Sequence, residues 1–488
     1  MASSPKTLRV LFVAAEADPI IKVGGLGDVT GSLPRALRAL EPAKALGYQL
    51  DVRLAIPFHT AITTRITELE QVATFEVPRP SGPVTAQAFL THVGELPVYL
   101  IGGDPIPAEA PVYSLDTRKD GEKFTFFSLA ALELPRALGW APDILHANDW
   151  HTAISVYMLA RRRETDPFLA RTRSILTVHN LPFMGAGTEQ ALSDFGIPPL
   201  DDDRLPPWGS YQPLPMGLAT ADHITTVSPT YAREILTTEF GCDLQDFLQM
   251  RAASISGILN GLDEQLWDPA TDTALAENFD RKTLQRRGAN KQTLLREFVL
   301  PRIEDMPLLV MITRLDRQKG VDLAIEGLRQ VAGLPWQAIL LGTGEPALEA
   351  SCRQLEAEFP YRARAVIRFD AHLARRMYAG ADMLLMPSRY EPCGLAQMIA
   401  MRYGCLPVAR ATGGLRDTVL DTQIPENSTG FLFESATPAA LAAALRRAIA
   451  AYADRENWQS RQRFGMQQNF SWQRSAQAYT TLYHKLLL

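Results

Sequence analysis

Short apolar runs alternate with helix-length amphipathic segments along almost the whole chain, and the alternation runs through twice. In the first pass LRVLFVAA, LDVRLAIP, LPVYLIGG, DILHA, RSILTVH and HITTV read as strands buried on both faces, separated by helical segments at residues 28–46, 122–138, 151–163 and 229–238. In the second pass PLLVMIT, QAILLGTG, AVIRF, DMLLMP and LPVAR are strands, with helices expected at 322–331, 347–359, 373–379 and 395–403. Strands without a polar face, each followed by a helix, demand a parallel sheet covered on both sides. Two doubly wound α/β domains are therefore expected. The second is placed from Ser256, at the strand SGILNG, with a hinge in residues 238–253. Residues 198–215, rich in proline and polar groups, read as a long surface loop, and residues 471–488 as an amphipathic helix.

Composition narrows what such a chain can do. At 488 residues it can bury a large core without disulfide or metal staples. Lys and Arg number 49 against 54 Asp and Glu, a net charge of −5, which disfavours gripping nucleic acid through a basic surface. Cys242, Cys352, Cys393 and Cys405 form no C-x-x-C pair, so a reducing compartment is expected. The first apolar run, residues 8–15, is short and ends at Glu16, as a strand does and a secretory leader does not. No stretch approaches the ~18 apolar residues that span a bilayer. The expectation is a cytoplasmic protein with no membrane partner.

Open parallel sheets bind ligands at the carboxyl ends of their strands, and the polar motifs of this chain follow strands. After the first comes Lys22-Val-Gly-Gly-Leu-Gly-Asp28, a glycine turn opening a helix, where backbone N–H groups can face phosphate. It has neither the G-K-[ST] of a P-loop nor the G-x-G-x-x-G spacing of a dinucleotide site, and it also reads as a tight connection. His146-Ala-Asn-Asp149-Trp-His151 follows DILHA; a sugar or acid–base site is one reading, a helix cap by Asn148 or Asp149 the other. His179 follows RSILTV. In the second half Arg314 and Lys319, five apart across a strand-to-helix turn, can converge on one phosphoryl group or form a solvated basic turn. Glu391, in Pro-Ser-Arg-Tyr-Glu-Pro-Cys-Gly-Leu after DMLLMP, can accept sugar hydroxyls. Cys393 has no evident base partner, so a contact role is expected for it. Thr412-Gly-Gly-Leu415 echoes the first glycine turn.

In this order Lys-Val-Gly-Gly-Leu, HANDWH, TVHN, SPTYA, ILNGLD, TRLDRQKG, EPCGL and ATGGLRDTV resemble the bacterial glycogen synthases and plant starch synthases, over nearly the whole chain. The resemblance implies GT-B architecture: two Rossmann-like domains, 1–255 and 256–470, facing across a deep cleft, with a terminal helix, 471–488, returning to the first. It implies transfer of glucose from ADP-glucose to the 4-hydroxyl of an α-1,4-glucan or glycogen end, with retention. Arg314 and Lys319 match the pair that binds the donor diphosphate. Lys22, Gly24 and Gly25 match the loop that closes on it. Glu391, with Gly394 and Leu395, matches the glucosyl contacts, and His179 the histidine near the anomeric carbon. Asp149 matches the acid that positions sugar or acceptor. Tyr113 and Asn260 match donor-side residues, and Phe369 falls where an adenine-stacking tyrosine is usual. No metal and no cofactor beyond the donor substrate are implied. The chain departs from the pattern at Pro213-Leu-Pro-Met216, where a usual lysine is Pro215, at LPFMG after TVHN, and at Phe126–Phe127. Those departures keep two alternatives in play: a non-catalytic glucan-binding paralogue, and an enzyme using UDP-glucose.

Overall fold

Nine strands form one sheet in the computed structural model, which describes residues 5–62, 66, 68–107 and 111–488. They are β1 (Lys6–Val13), β2 (Tyr48–Pro57), β3 (Glu70–Val77), β4 (Val84–Val93), β5 (Leu96–Gly102), β6 (Ile144–Asn148), β7 (Arg173–Val178), β8 (His223–Thr226) and β9 (Ile255–Gly257). Their spatial order is β3-β4-β5-β2-β1-β6-β7-β8-β9. From β5 to β9 every pairing is parallel. The sheet belongs to a unit made of Met1–Gly261 and Trp472–Leu488.

A second unit, Leu262–Ser471, holds six parallel strands. These are β10 (Leu308–Ile312), β11 (Gln337–Gly342), β12 (Ala363–Ile367), β13 (Met383–Met386), β14 (Leu406–Arg410) and β15 (Phe431–Phe433), in the order β12-β11-β10-β13-β14-β15. Leu309 and Met311 of β10 enter one core with Ala338, Leu340 and Leu441, while Leu308 and Val310 enter another with Ile339, Leu341 and Met377. Both faces are thus covered, which is why these strands lack a polar side.

Both sheets share one topological feature. Strand order reverses between β1 and β6 in the first unit and between β10 and β13 in the second. The connections leave opposite faces there, opening a crevice at the strands' carboxyl ends.

Three expectations need correction. The strand at Ser256 does not open the second unit: β9 pairs in parallel with β8, Ile224 opposite Ile255, and completes the first sheet. The division falls after Gly261. Residues 198–215 are not all surface loop. A 3₁₀ turn, Pro207–Tyr211, leads into the helix Pro213–Thr220, whose first six residues are buried. Proline suits that start because the first helical N–H groups have no intrahelical partner. Gly217 lets this helix approach the helix Trp150–Arg162; a Cβ there would lie 2.8 Å from the Cβ of Ala153. The sheet is also not wholly parallel, since β3 and β4 extend it as an antiparallel pair.

The last helix, Trp472–Leu486, packs Trp472, Ala476, Tyr479 and Tyr483 into the core of the first unit with Leu8, Val10 and Val52. Among the described residues no helix is long and apolar enough to cross a membrane.

Candidate functional site

The second unit's switch point is built by the turn after β10 and the turn after β13. Gly320 sits at φ 68°, and a Cβ there would lie 2.1 Å from the carbonyl oxygen of Pro387, so the two turns meet backbone to backbone. Arg389 clamps them: its guanidinium donates to both oxygens of Asp322, at 2.8 and 2.7 Å, and to the Arg317 carbonyl at 2.7 Å. This brings Lys319 onto Glu391, with Nζ 2.8 and 2.7 Å from the two carboxylate oxygens. Ser388 Oγ donates to the same carboxylate at 2.9 Å. Glu391 is only 6% exposed, so the ion pair is shielded from water and its geometry is held tightly. Arg314, by contrast, has a side chain 70% exposed and, among the described residues, pairs only with Asp316, at 3.4 Å. Both cations line one cavity of about 220 Å³ with Ser388, Glu391, Gly394 and Leu395. Arg314 is thus exposed and loosely held, whereas Lys319 is fixed on Glu391.

Gly413 and Gly414 serve that turn as well. A Cβ on Gly414 would lie 2.1 Å from the Cys393 carbonyl oxygen, and the Gly414 N–H donates to the Glu391 carbonyl at 3.1 Å. The second Gly-Gly-Leu is therefore a seat for the Glu391 turn. Cys393 is buried, its carbonyl accepting from Gln397 Nε2 at 3.0 Å.

The first unit's switch point gathers Glu16 after β1, Asn148 and Asp149 at the end of β6, and His179 after β7. Asp149 stands at φ 54°, ψ −174°, a conformation costing about 1–3 kcal/mol for a residue with a Cβ. Its side chain does not cap the following helix. Instead the carboxylate accepts the backbone N–H of His179 at 2.7 Å and of Asn180 at 3.4 Å. The cap reading is thereby excluded, and the strained backbone aims the acid across to β7. Burial pushes the Asp149 carboxyl up to about 7, against the pull of those two N–H groups, and the Glu16 carboxylate adds to the rise.

Burial lowers the His179 imidazole to about 3, so it is neutral at physiological pH. Its Nε2 lies 2.9 Å from Asn148 Oδ1, while Asn148 Nδ2 donates to the Val13 carbonyl at 3.0 Å. The amide is thus oriented, Nε2 carries the proton, and Nδ1 keeps a lone pair. His146 is a structural histidine: its two ring nitrogens are each 2.7 Å from a hydroxyl, of Tyr483 and of Thr177.

Glu16 is a member of this cluster that the motifs did not mark. It is 1% exposed. Its carboxylate accepts the N–H of Val23 and of Gly24, the latter at 3.3 Å, and the Tyr113 hydroxyl at 3.1 Å. Burial raises its pKa against those bonds. The Val23 and Gly24 amides, expected to face phosphate, are therefore already occupied by a carboxylate. Gly25 is left open, with nothing within 4 Å of a Cβ placed there. A second buried pair fixes Tyr113. Lys123 Nζ donates to Asp120 at 2.7 Å and to the Val112 carbonyl at 2.7 Å, and Asp120 accepts the Ser114 N–H at 2.8 Å. Lys123, 1% exposed, is the buried cation of the helix that also carries Phe126 and Phe127.

Two groupings result. Glu16, Gly24, Tyr113, Asp149 and His179 lie together in the first unit, and Arg314, Lys319, Glu391, Gly394 and Leu395 in the second. Lys22 points outward onto Asp28, with 39% of its side chain exposed. Asn260 is buried just beyond β9. Phe369, beyond β12, is 86% exposed and does not line the cavity holding Lys319.

Residues 9–250 match the family described as starch synthase catalytic domain, and residues 296–464 match glycosyl transferases group 1. The chain is 42% identical to the glycogen synthase of Anaeromyxobacter sp. strain Fw109-5, covering 98% of this chain and 99% of that one. It is 38% identical to glycogen synthase 2 of Geobacter sulfurreducens, covering 98% of each. Among solved structures, the catalytic domain of starch synthase IV from Arabidopsis thaliana, bound to ADP and acarbose, is similar with a TM-score of 0.85 and 33% identity. That likeness covers 99% of this chain and 100% of that one. A sucrose-phosphate synthase from Thermosynechococcus elongatus, at 21% identity and a TM-score of 0.60 over 98% of this chain and 99% of its own, shares the fold.

Proposed function

The chain belongs to the glycogen synthase and starch synthase family of GT-B glycosyltransferases, a glucan-building enzyme using a nucleotide sugar, and from that premise we propose that its donor is ADP-glucose. Glucose passes to the 4-hydroxyl at the non-reducing end of an α-1,4-glucan, with the α configuration kept. The observation that carries this reading is the Lys319–Glu391 pair: one buried carboxylate that can accept sugar hydroxyls, tied to one ammonium that can hold the adjoining phosphate. The choice of ADP is supported by starch synthase IV, whose solved structure holds ADP and acarbose.

As the bond from the anomeric carbon to the phosphate oxygen breaks, negative charge grows on the diphosphate. Arg314 and Lys319 stabilise that charge in place, so the reading includes no metal and no resident cofactor. The bond from the acceptor 4-oxygen to the anomeric carbon forms on the same face, and the acceptor proton passes to the departing phosphate. Glu391 orients the glucosyl unit with the Gly394–Leu395 backbone. His179 and Asp149 present a neutral ring and a buried acid toward the sugar. Lys22, Gly24 and Gly25 approach the diphosphate; Tyr113 and Asn260 contact the donor, and Phe369 offers its face to the base. The reading includes a cytoplasmic setting, which four cysteines without a C-x-x-C pair favour.

Turnover of ADP-glucose and UDP-glucose on a glycogen primer, measured side by side, tests the reading. Preference for ADP-glucose is expected. Preference for UDP-glucose would overturn the donor assignment, and glucan binding without turnover of either would overturn the catalytic one.

A further inference from the structure

At the amino ends of β10 and β13, the opposite end of the sheet from Lys319, lies a cavity of about 210 Å³ within the second unit. Its wall includes Arg287, Lys291, Asp382, Tyr452, Arg455 and Trp458. Three of these are cations and one is a carboxylate. Asp382 is neutralised, accepting from Lys291 Nζ at 2.6 Å and from the Leu308 N–H at 2.8 Å. Lys291 has spent its three protons on Asp382, the Tyr452 hydroxyl and the Met306 carbonyl. Arg455 meets Asp305 at 3.0 Å in a solvent-exposed pair, screened and weak.

Arg287 is different. It is 6% exposed, and no carboxylate lies within ion-pairing distance among the described residues. Nε donates to the Tyr403 carbonyl at 2.8 Å, and Nη2 to the carbonyls of Tyr378, at 3.3 Å, and Ala381. Those carbonyls close the helices Ala371–Gly380 and Ala396–Arg402, whose carboxyl ends favour a cation. That accounts for two nitrogens. The third, Nη1, makes no hydrogen bond to the described residues and is not among the buried unpartnered atoms, and the Asp382 carboxylate acts on the guanidinium only from a distance. Trp458 lines the same cavity. It is 2% exposed, and its buried indole N–H has no partner among the described residues. The Tyr452 hydroxyl accepts from Lys291 and retains its own proton.

The wall thus has excess positive charge and, at Arg287 Nη1, an unspent donor, with its one carboxylate already satisfied and the Trp458 indole N–H buried just behind the surface. Such a wall recognises an oxyanion. We propose that this cavity binds the phosphoryl group of a small molecule, at a site separate from the one holding Arg314 and Lys319. The volume leaves room beside the phosphate for a short polyol.

The test uses the full chain with ADP at saturation, so that the Lys319 site is filled. Inorganic phosphate and glycerol 3-phosphate are titrated by calorimetry and against the indole N–H resonance of Trp458, assigned by its loss in Trp458→Phe; glycerol serves as control. One equivalent is expected to bind with a Kd of about 1 mM or tighter, shifting that resonance. Equal affinity for both probes identifies free phosphate as the ligand; tighter binding of the ester identifies a phosphorylated metabolite. Arg455→Gln and Gln459→Glu, both at partly exposed positions on the cavity wall, should each weaken binding roughly tenfold, while ADP-glucose turnover is kept. No saturable binding, an unmoved Trp458 resonance, or binding unchanged in both variants would overturn the proposal. Binding lost in Lys319→Ala would place the phosphate at the other site and overturn it equally.

Discussion

One ammonium, on Lys319, is held 2.7 Å from the Glu391 carboxylate, while the Arg314 guanidinium stands in solvent. If both stabilise the leaving diphosphate, Lys319→Ala and Arg314→Ala each lower kcat by roughly 10². Near-normal turnover in both variants would refute that role. Lys319→Ala also strands the buried Glu391 charge, so its loss should be partly structural, whereas Arg314→Ala should leave thermal stability unchanged. Glu391→Ala is expected to damage turnover far more than Cys393→Ser; equal losses would return attention to the thiol. Glu16 supplies a separate test. Glu16→Ala leaves the Val23 and Gly24 amides and the Tyr113 hydroxyl without their acceptor, and should raise the donor KM by about tenfold. Glu16→Gln keeps one acceptor oxygen and should recover most of the loss; steady-state kinetics of the two variants decide it. The placement of Asp149, His179, Arg314, Lys319 and Glu391 was legible from position alone, because all follow buried strands. Glu16 follows one too, but a lone carboxylate ending an apolar run has no spacing to mark it. Its meaning comes from amides and a hydroxyl that only the fold brings to it.

Elements were legible where their period was single. The buried strands of both sheets stand out as continuous apolar runs, most of them followed by a helix. The β3–β4 pair does not, since β4 alternates buried and exposed residues over its first half, β3 is exposed or half-buried up to Val77, and neither has a continuous apolar run. The helix Pro213–Thr220 was hidden by its prolines, which read as loop until their place in its first turn is known. The two Gly-Gly-Leu turns look alike in sequence and act differently. The first leaves Gly25 open, whereas the second is packed under the Glu391 turn. Gly414→Ala must therefore displace backbone. It should cost about 1–3 kcal/mol in urea unfolding and lower turnover as well, although position 414 touches no substrate. A stable, fully active Gly414→Ala protein would refute that packing role.

Across the first unit as a whole, burial sets a pH dependence. His146, His151 and His179 are held near 3 and His223 near 4, all lowered chiefly by burial. The unfolded chain binds these protons from about pH 6.5 downward and the folded chain does not, so stability falls on acidification through that window. Asp149, raised to about 7, works against this, because below pH 7 the folded state takes up a proton that the unfolded state accepts only near pH 4. Asp149→Asn should therefore steepen the loss of Tm between pH 6.5 and 4; a shallower loss would mean that Asp149 is ionised in the fold.

The larger organisation, two doubly wound sheets, followed from strand and helix alternation. The boundary moved from Ser256 to Gly261 because a three-residue strand, Ile255–Gly257, is too short to declare which sheet it joins. The account's central claim is α-1,4 transfer of glucose from ADP-glucose to a glucan end. Radiolabelled ADP-glucose and glycogen primer, followed by β-amylase digestion of the product, test it most directly. The account predicts label released as maltose, with incorporation depressed in Lys319→Ala. Unlabelled glucan from well-folded protein, or label that β-amylase cannot release, would contradict it.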